Sequence, residues 1–193
     1  MNRSIILAST SPRRKQLLTE AGLVFEIAES NYEEDLTLPL KPEDLALELS
    51  RGKAQAVAKL YPDAIIIAAD TMVVYENQIL GKPHTATTAK AMLSMLNGRK
   101  NLVITGFTVI DTKTNRIVSK AVTSTVYFKQ LTPKQIAEYV ATGEPLDKAG
   151  AYAVQGHGSA LIEKIEGDRL NIVGLPMNDL LSVLKDFGVV VKK

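Results

Sequence analysis

The longest unbroken apolar run in the chain, Ala64-Ile65-Ile66-Ile67-Ala68-Ala69, ends on a carboxylate, Asp70. It is far shorter than the ~20 residues that a bilayer-spanning helix requires. The stretch from Ala64 to Tyr75 is the strongest strand signal in the sequence, with Ile79-Leu80 pairing back on it after Glu76-Asn77-Gln78. Around it, short apolar runs alternate with helical periodicity, without a low-complexity linker, charge block or internal repeat. That alternation predicts a mixed α/β domain. The 193 residues suffice for one domain, or two small lobes around one core, and a single domain over residues 1–193 is expected.

Composition narrows the chemistry. A hydrophobic share of 46% with a net charge of +2 excludes a solvated coil. The absence of cysteine excludes disulfide scaffolds, thiolate zinc sites, iron–sulfur clusters and cysteine nucleophiles, and fits a reducing, cytoplasmic setting. Met1-Asn2-Arg3 leads within ten residues into a polar, basic helix, so neither a signal peptide nor a membrane association is expected.

Element by element, Ile5 to Ala8 reads as a buried strand, followed by Ser11 as N-cap and Pro12 as first residue of a helix that runs to about Ala21 and stops at Gly22. Val24 to Ala28 offers a second strand, and Glu29 to Leu40 an acidic, irregular loop. Pro42 opens a long helix with Ala46, Leu49, Ala56, Val57 and Leu60 at helical spacing. Ala86, Ala89, Leu93 and Leu96 mark another helix, and the alternating segments Leu102 to Asp111 and Arg116 to Phe128 predict a long hairpin. Thr132-Pro133-Lys134-Gln135 is a capping box, with Gly143 closing that helix. Pro145 to Gly158 has neither period, Leu161 to Ile165 is a candidate strand, and Met177 to Phe187 a final helix closed by Gly188.

The informative residues are polar groups where packing calls for apolar ones. Arg14 precedes Leu17, Leu18 and Ala21 at helical spacing, so it points along the buried stripe, with Arg13 one step round. Both lie in a first turn, where free N–H groups and the dipole favour an anion; a strand, a serine-rich turn and two arginines make a phosphate cradle, or else a capped surface helix. Lys53 sits in the stripe of Ala46, Leu49, Val57 and Leu60, where it either snorkels out or meets an internal anion. Its neighbour Gly52, in mid-helix, costs about 1 kcal/mol relative to Ala and implies a close approach to the backbone. Asp70, at the tip of a buried strand, suits metal binding or base chemistry, or caps a turn. Glu33-Glu34-Asp35 offers hard oxygen ligands for Mg²⁺ or Mn²⁺, or a solvated acidic loop. Lys82 and Lys148 occupy short glycine-flanked loops that can bring an ammonium to a phosphate, and Gln155, in Gln155-Gly156-His157-Gly158, can read a base edge.

No P-loop, dinucleotide fingerprint, nucleophile elbow or H-E-x-x-H is present. What remains is a set of acids for metal and of Arg and Lys for oxyanions, which suits phosphoryl chemistry without a covalent nucleophile.

Leu7-Ala8-Ser9-Thr10-Ser11-Pro12-Arg13-Arg14, Ala69-Asp70-Thr71, Gly81-Lys82-Pro83, the stretch from Glu144 to Tyr152, Gln155-Gly156 and Val173-Gly174-Leu175-Pro176 occur in one order over nearly the whole chain. Together they resemble the Maf family of nucleoside triphosphate pyrophosphatases. The resemblance implies a mixed twisted sheet flanked by helices, related to the inosine triphosphatase fold, with two lobes around a cleft. It implies cleavage between the α and β phosphates, a divalent cation, Mg²⁺ or Mn²⁺, and a homodimer. The family's catalytic aspartate falls on Asp70; its substrate-binding residues on Ser9, Arg13, Arg14, Lys53 and Lys82; its metal ligands on Glu33, Glu34 and Asp70. Arg13, Thr71 and Gln155 form the specificity combination of the branch acting on dTTP and UTP, although Ala153-Val154 stands where that pattern has Gly-Ile.

Two other functions stay open on sequence. One is the same chemistry on another non-standard nucleotide, such as 7-methyl-GTP. The other is a non-catalytic nucleotide or nucleic-acid binder regulating cell division. Against a stable nucleic-acid complex, the chain has only six Tyr, four Phe and no Trp, and no basic run longer than Arg13-Arg14-Lys15.

Overall fold

The computed structural model describes residues 3–190; the expectation placed on Met1-Asn2 lies outside them. In chain order the elements are β1 (Ser4–Leu7), α1 (Pro12–Glu20), β2 (Glu26–Ile27), α2 (Pro42–Ala58), β3 (Ala64–Tyr75), β4 (Gln78–Leu80), α3 (Ala86–Leu96), β5 (Lys100–Asp111), β6 (Arg116–Phe128), α4 (Pro133–Ala141), β7 (Ile162–Glu166), α5 (Arg169–Val173) and α6 (Met177–Asp186), with 3₁₀ turns between Glu144 and Leu161. The strands form one mixed sheet in the order β2-β1-β3-β5-β6-β7, with β4 paired to β3. β1 runs parallel to β2 and β3, while β4 and β7 are antiparallel to β3 and β6. Among the described residues no helix is long and apolar enough to cross a membrane.

The path from β1 to β2 and then back past β1 to β3 matters for function. Both connections are parallel crossovers running in opposite directions along the sheet, and a right-handed crossover in each puts α1 and α2 on opposite faces. The side chains agree: Ala54 and Val57 of α2 pack on the even-numbered row Ala64, Ile66 and Ala68 of β3, together with Ile6, Ala8 and Ile110. β3 continues past the last pair with β1, Leu7 with Ile67. The residues just beyond that pair lie at a point where successive connections diverge, the usual place for a ligand in an open α/β sheet.

The chain divides into two compact units. The first comprises the chain up to Thr71, Thr105–Val122 and the residues from Gly174 onward. Its helix α2 lies directly on β5: a Cβ built on Gly106 would meet the Ala46 carbonyl oxygen at 2.3 Å and the Leu47 nitrogen at 2.7 Å. Beside that contact a hydroxyl chain runs from the buried Ser50 Oγ and Thr108 Oγ1 to the half-buried Ser119 Oγ, 2.9 Å at each step. At the far end of β5 Arg3 grips Asp111 with both terminal nitrogens, each contact 2.6 Å, while Asp111 also accepts the Lys113 and Thr114 amides. The second unit comprises Met72–Ile104 and Thr123–Val173. In its core Phe128 and Tyr152 pack edge to face with ring centroids 4.8 Å apart, and the Tyr152 hydroxyl donates to Asn101.

Most expected elements form, and the differences have local causes. The tight β3–β4 turn is made by Glu76 and Asn77, both with positive φ. The Thr132 capping box is complete on both sides. β2 shrinks to two residues, with Val24 89% exposed. α2 ends at Ala58, so Leu60 leaves the apolar stripe and is 69% exposed. β5 is buried along nearly its whole length, where the alternating pattern predicts one solvated face. The short helix α5, within the span between the last expected strand and helix, carried no periodic signal in five residues.

Candidate active site

Asp70 takes the next place in the row Ala64, Ile66, Ala68 on the α2 face of β3. Lys53, in the buried stripe of α2, reaches it: Nζ lies 2.6 Å from Asp70 Oδ1 and 2.7 Å from Glu34 Oε1. Of the two routes open to an ammonium in that stripe, the structure takes the internal one. Glu34 arrives on the irregular segment before α2, and the close approach implied by Gly52 is the ring of Tyr32. A Cβ at Gly52 would fall 2.2 Å from Tyr32 Cζ. The glycine is thus a notch in the helix that lets Tyr32 lie across it, two residues before Glu34 and one residue from Lys53.

Thr71 points to the opposite face, where α1 supplies Arg14. The Arg14 guanidinium donates through Nη2 to Thr71 Oγ1 at 3.1 Å, through Nη1 to Ser9 Oγ at 3.2 Å and through Nε to the Gly174 carbonyl at 3.0 Å. Gly174 lies against Arg14 with φ +131, a backbone conformation that a residue with a side chain rarely adopts, so the carbonyl that meets Nε is presented by a glycine. Burial lowers the Arg14 pKa, the charges of Asp70 and Glu34 oppose that, and Arg13 adds to it. The Asp70 carboxylate and the arginine fork therefore share one electrostatic environment within the first unit. Ser11 occupies the N-cap of α1 without a capping bond from its side chain; its amide instead donates to Ser9 Oγ. Arg13 is partly exposed and makes no hydrogen bond or ion pair with the described residues.

The metal-ligand set expected at Glu33, Glu34 and Asp70 does not assemble as three carboxylates: among the described residues no group of three or more acidic or histidine side chains is arranged to hold an ion. The reason is geometric, since the shared ammonium draws in Glu34 and Asp70, while Glu33 stays on the exposed loop. The remaining pair still fits a hard cation. Two carboxylates and one ammonium leave one net negative charge, and the second oxygen of each carboxylate makes no hydrogen bond with the described residues. One or two carboxylates completed by substrate phosphates is the usual Mg²⁺ arrangement.

Lys82 and Gln155 belong to the second unit. Lys82 is exposed in the loop after β4. That loop is tied to the glycine-flanked Lys148 loop by Gly150 N–H to the Gly81 carbonyl, 3.1 Å, and His84 N–H to the Leu146 carbonyl, 3.2 Å. Lys148 is paired with its neighbour Asp147. Gln155 is exposed, and its amide makes no hydrogen bond with the described residues. Sequence reasoning missed Tyr32 and Thr105, whose hydroxyl lies 2.9 Å from that of Thr71. Tyr32 left a trace, because Gly52 called for a neighbour without naming it; Thr105 left none, being one hydroxyl among several in β5.

These features define an α/β protein with a lysine-bridged carboxylate pair and a buried arginine fork at the edge where parallel strands end. The chain belongs to the Maf family: the family model described as Maf-like protein matches residues 4–187. It is 49% identical over 188 residues to a protein of Methanosarcina mazei named dTTP/UTP pyrophosphatase, spanning 97% of this chain and 95% of the relative. A protein of the same name from Thermoanaerobacter is 48% identical over 182 residues, spanning 94% and 95%. Among solved structures, the Staphylococcus aureus Ham1 protein superposes with a TM-score of 0.50 at 16% identity, over 95% of this chain and 99% of that one. That likeness establishes the fold.

Proposed function

We propose that this protein is a nucleoside triphosphate pyrophosphatase that hydrolyses dTTP and UTP to the monophosphate and pyrophosphate. The names of its relatives support the reaction class and substrate. The observation that carries the reading is the Lys53 ammonium held between Asp70 and Glu34 beside the Arg14 fork. A base needs a fixed position and a way to shed charge repulsion as it approaches a polyphosphate. Lys53 supplies both for Asp70.

In this mechanism Asp70 accepts a proton from a water that attacks the α-phosphorus, and the bond to the α–β bridging oxygen breaks as pyrophosphate leaves. Arg13, which makes no hydrogen bond or ion pair among the described residues, and Lys82 neutralise phosphate oxygens; Lys82 and Gln155 enter through the family pattern. Arg14 places three of its five N–H donors on Ser9, Thr71 and Gly174, which shapes the cradle, and the other two are left for phosphate oxygens, the role that the family pattern gives it beside Arg13. Glu34 and Asp70 would hold Mg²⁺ or Mn²⁺, which when bound supplies positive charge against the triphosphate and acidifies water. A cytoplasmic homodimer is the setting that the family pattern implies.

The test is pyrophosphate release from a nucleotide panel with and without divalent cation. Release from dTTP and UTP that requires the cation, and that Asp70→Asn abolishes while calorimetry still detects nucleotide binding, is expected. Undiminished turnover by Asp70→Asn removes Asp70 from the mechanism, and no release from any triphosphate rejects the enzyme.

A further inference from the structure

In the second unit, four hydrogen bonds converge on two side chains, those of Tyr139 and Glu144, that take no part in the proposed chemistry. The Glu144 carboxylate accepts from Tyr139 Oη at 2.9 Å, from the His157 amide at 3.1 Å and from the Gly158 amide at 2.9 Å. Tyr139 Oη in turn accepts the Ala153 amide at 3.2 Å. Three of the four bonds bracket Gln155: one pins the residue two before it, and two pin the residues two and three after it, while the fourth joins the two side chains. Consecutive amides meeting one carboxylate form the concave arrangement in which backbone N–H groups hold anions.

The glycines of Gln155-Gly156-His157-Gly158 exist for this contact. Gly156 has φ +61, and a Cβ on it would come 2.6 Å from Glu144 Oε2. One on Gly158 would come 2.3 Å from the Ala153 carbonyl and 2.8 Å from Tyr139 Oη. The loop is wrapped tightly around a charged acceptor and a phenol. The hub is itself anchored to the end of α4, because Thr142 Oγ1 donates to the Tyr139 carbonyl at 2.6 Å and accepts the Glu144 amide at 3.2 Å. Burial and Glu144 raise the Tyr139 pKa; for Glu144, burial pulls upward, but the Gly158 amide, the Tyr139 hydroxyl and the His157 amide prevail and lower it. Tyr139 therefore stays a donor and Glu144 an acceptor at neutral pH.

We infer that Glu144 and Tyr139 are positioning residues for nucleotide discrimination, fixing the backbone from which Gln155 presents its exposed amide to a base edge. A side-chain amide distinguishes a carbonyl from an amino group only if its donor and acceptor ends are held to within about 0.5 Å. Three bonds to an ionised carboxylate, with a fourth to its phenol partner, supply that rigidity. The inference rests on the proposed pyrophosphatase function and on Gln155 reading the base.

The experiment compares kcat/KM for UTP with that for CTP, which differ in the base carbonyl and amino groups, in Glu144→Gln, Tyr139→Phe and Gln155→Ala. Tyr139→Phe keeps the buried ring, so it remains informative if Glu144→Gln folds poorly. The expected result is a UTP/CTP ratio at least tenfold lower in all three, with CTP turnover unchanged in Tyr139→Phe and no further loss when Tyr139→Phe is added to Gln155→Ala. If Gln155→Ala lowers the ratio but Tyr139→Phe leaves it intact, or slows both nucleotides equally, the positioning role is overturned and the base reading stands. If Gln155→Ala leaves the ratio intact, base reading by Gln155 fails and the inference fails with it. If no triphosphate is cleaved at all, the proposed function itself has failed.

Discussion

Lys53 Nζ lies 2.6 Å from Asp70 Oδ1, with the two side chains only 11% and 13% exposed. A pair this withdrawn from water gains Coulomb energy at a large desolvation cost, and its net contribution to stability is small. Its chemical effect is larger: it places a carboxylate at a fixed point while removing part of the repulsion that an incoming polyanion would meet.

Lys53→Met keeps most of the aliphatic stem in the α2 stripe and deletes the charge. Asp70 and Glu34, the latter 44% exposed, then face each other without their common cation. Pyrophosphate release should fall by about 100-fold or more, the usual scale for removing an electrostatic group from a site. Steady-state kinetics on dTTP decide it; turnover within about threefold of the parent would show the pair to be structural.

Arg14→Lys is a stringent test of the fork. A single ammonium cannot reach Ser9 Oγ, Thr71 Oγ1 and the Gly174 carbonyl together, so at least one loses its donor. The Gly174 carbonyl is the buried acceptor among them, and leaving such a group unpaired costs about 1–3 kcal/mol, whereas Ser9 Oγ keeps the Ser11 amide and Thr71 Oγ1 keeps Thr105. The melting temperature should drop by several degrees and activity should fall with it. Unchanged melting with unchanged activity would mean that the three bonds do not shape the cradle.

Gly52→Ala separates stability from activity. The new methyl raises helix propensity by about 1 kcal/mol, yet it falls on the Tyr32 ring, 2.2 Å from Cζ. The ring must leave the notch, carrying the segment that delivers Glu34 to Lys53. We expect a melting temperature equal to or above the parent's together with a higher divalent-cation requirement. A variant with parental cation dependence would show that Tyr32 does not position Glu34.

Acid stability should depend on Asp111. Its carboxyl is held well below the usual range by the hydrogen-bonded Arg3 guanidinium, against burial and with help from the Thr114 and Lys113 amides. A depressed carboxyl contributes stability that is fully present above its unfolded value, about 3.9, and lost as pH falls through the folded one. Asp111→Asn should therefore be less stable than the parent at neutral pH, with the gap closing as the solution is acidified. Melting curves from pH 7 down to about pH 2 measure it, most of the closing falling below about pH 4; a gap that widens on acidification would contradict the sign.

Much of the fold and site was legible because its signals are local. The run ending at Asp70, the proline and glycine at the ends of α1, and the Thr132 capping box each state their own structure in a few neighbouring residues. Lys53 was legible as an anomaly, a charge at an apolar spacing, although its partners were not named by that spacing. What stayed hidden depends on contacts across long separations. Glu33 and Glu34 are indistinguishable as adjacent acids in a loop, and only the position of the Lys53 ammonium selects between them. Leu60 kept the period of α2 after the helix had stopped. The Glu144 hub joins residues up to fourteen apart through backbone amides, which every residue except proline carries and which no side-chain pattern can reveal.

Gly106 bears on how loss of function in this protein should be mapped. The backbone of α2 rests on it at Ala46, and Lys53 rides two turns further along the same helix. Any side chain at 106 must lift the helix, and the ammonium would be raised from Asp70 without either charged residue being altered. A random-mutagenesis screen would then score position 106 beside the charged residues of the site, although it bears no functional group. The tolerance of the chemistry is set partly by a strand residue whose contribution is the room it leaves.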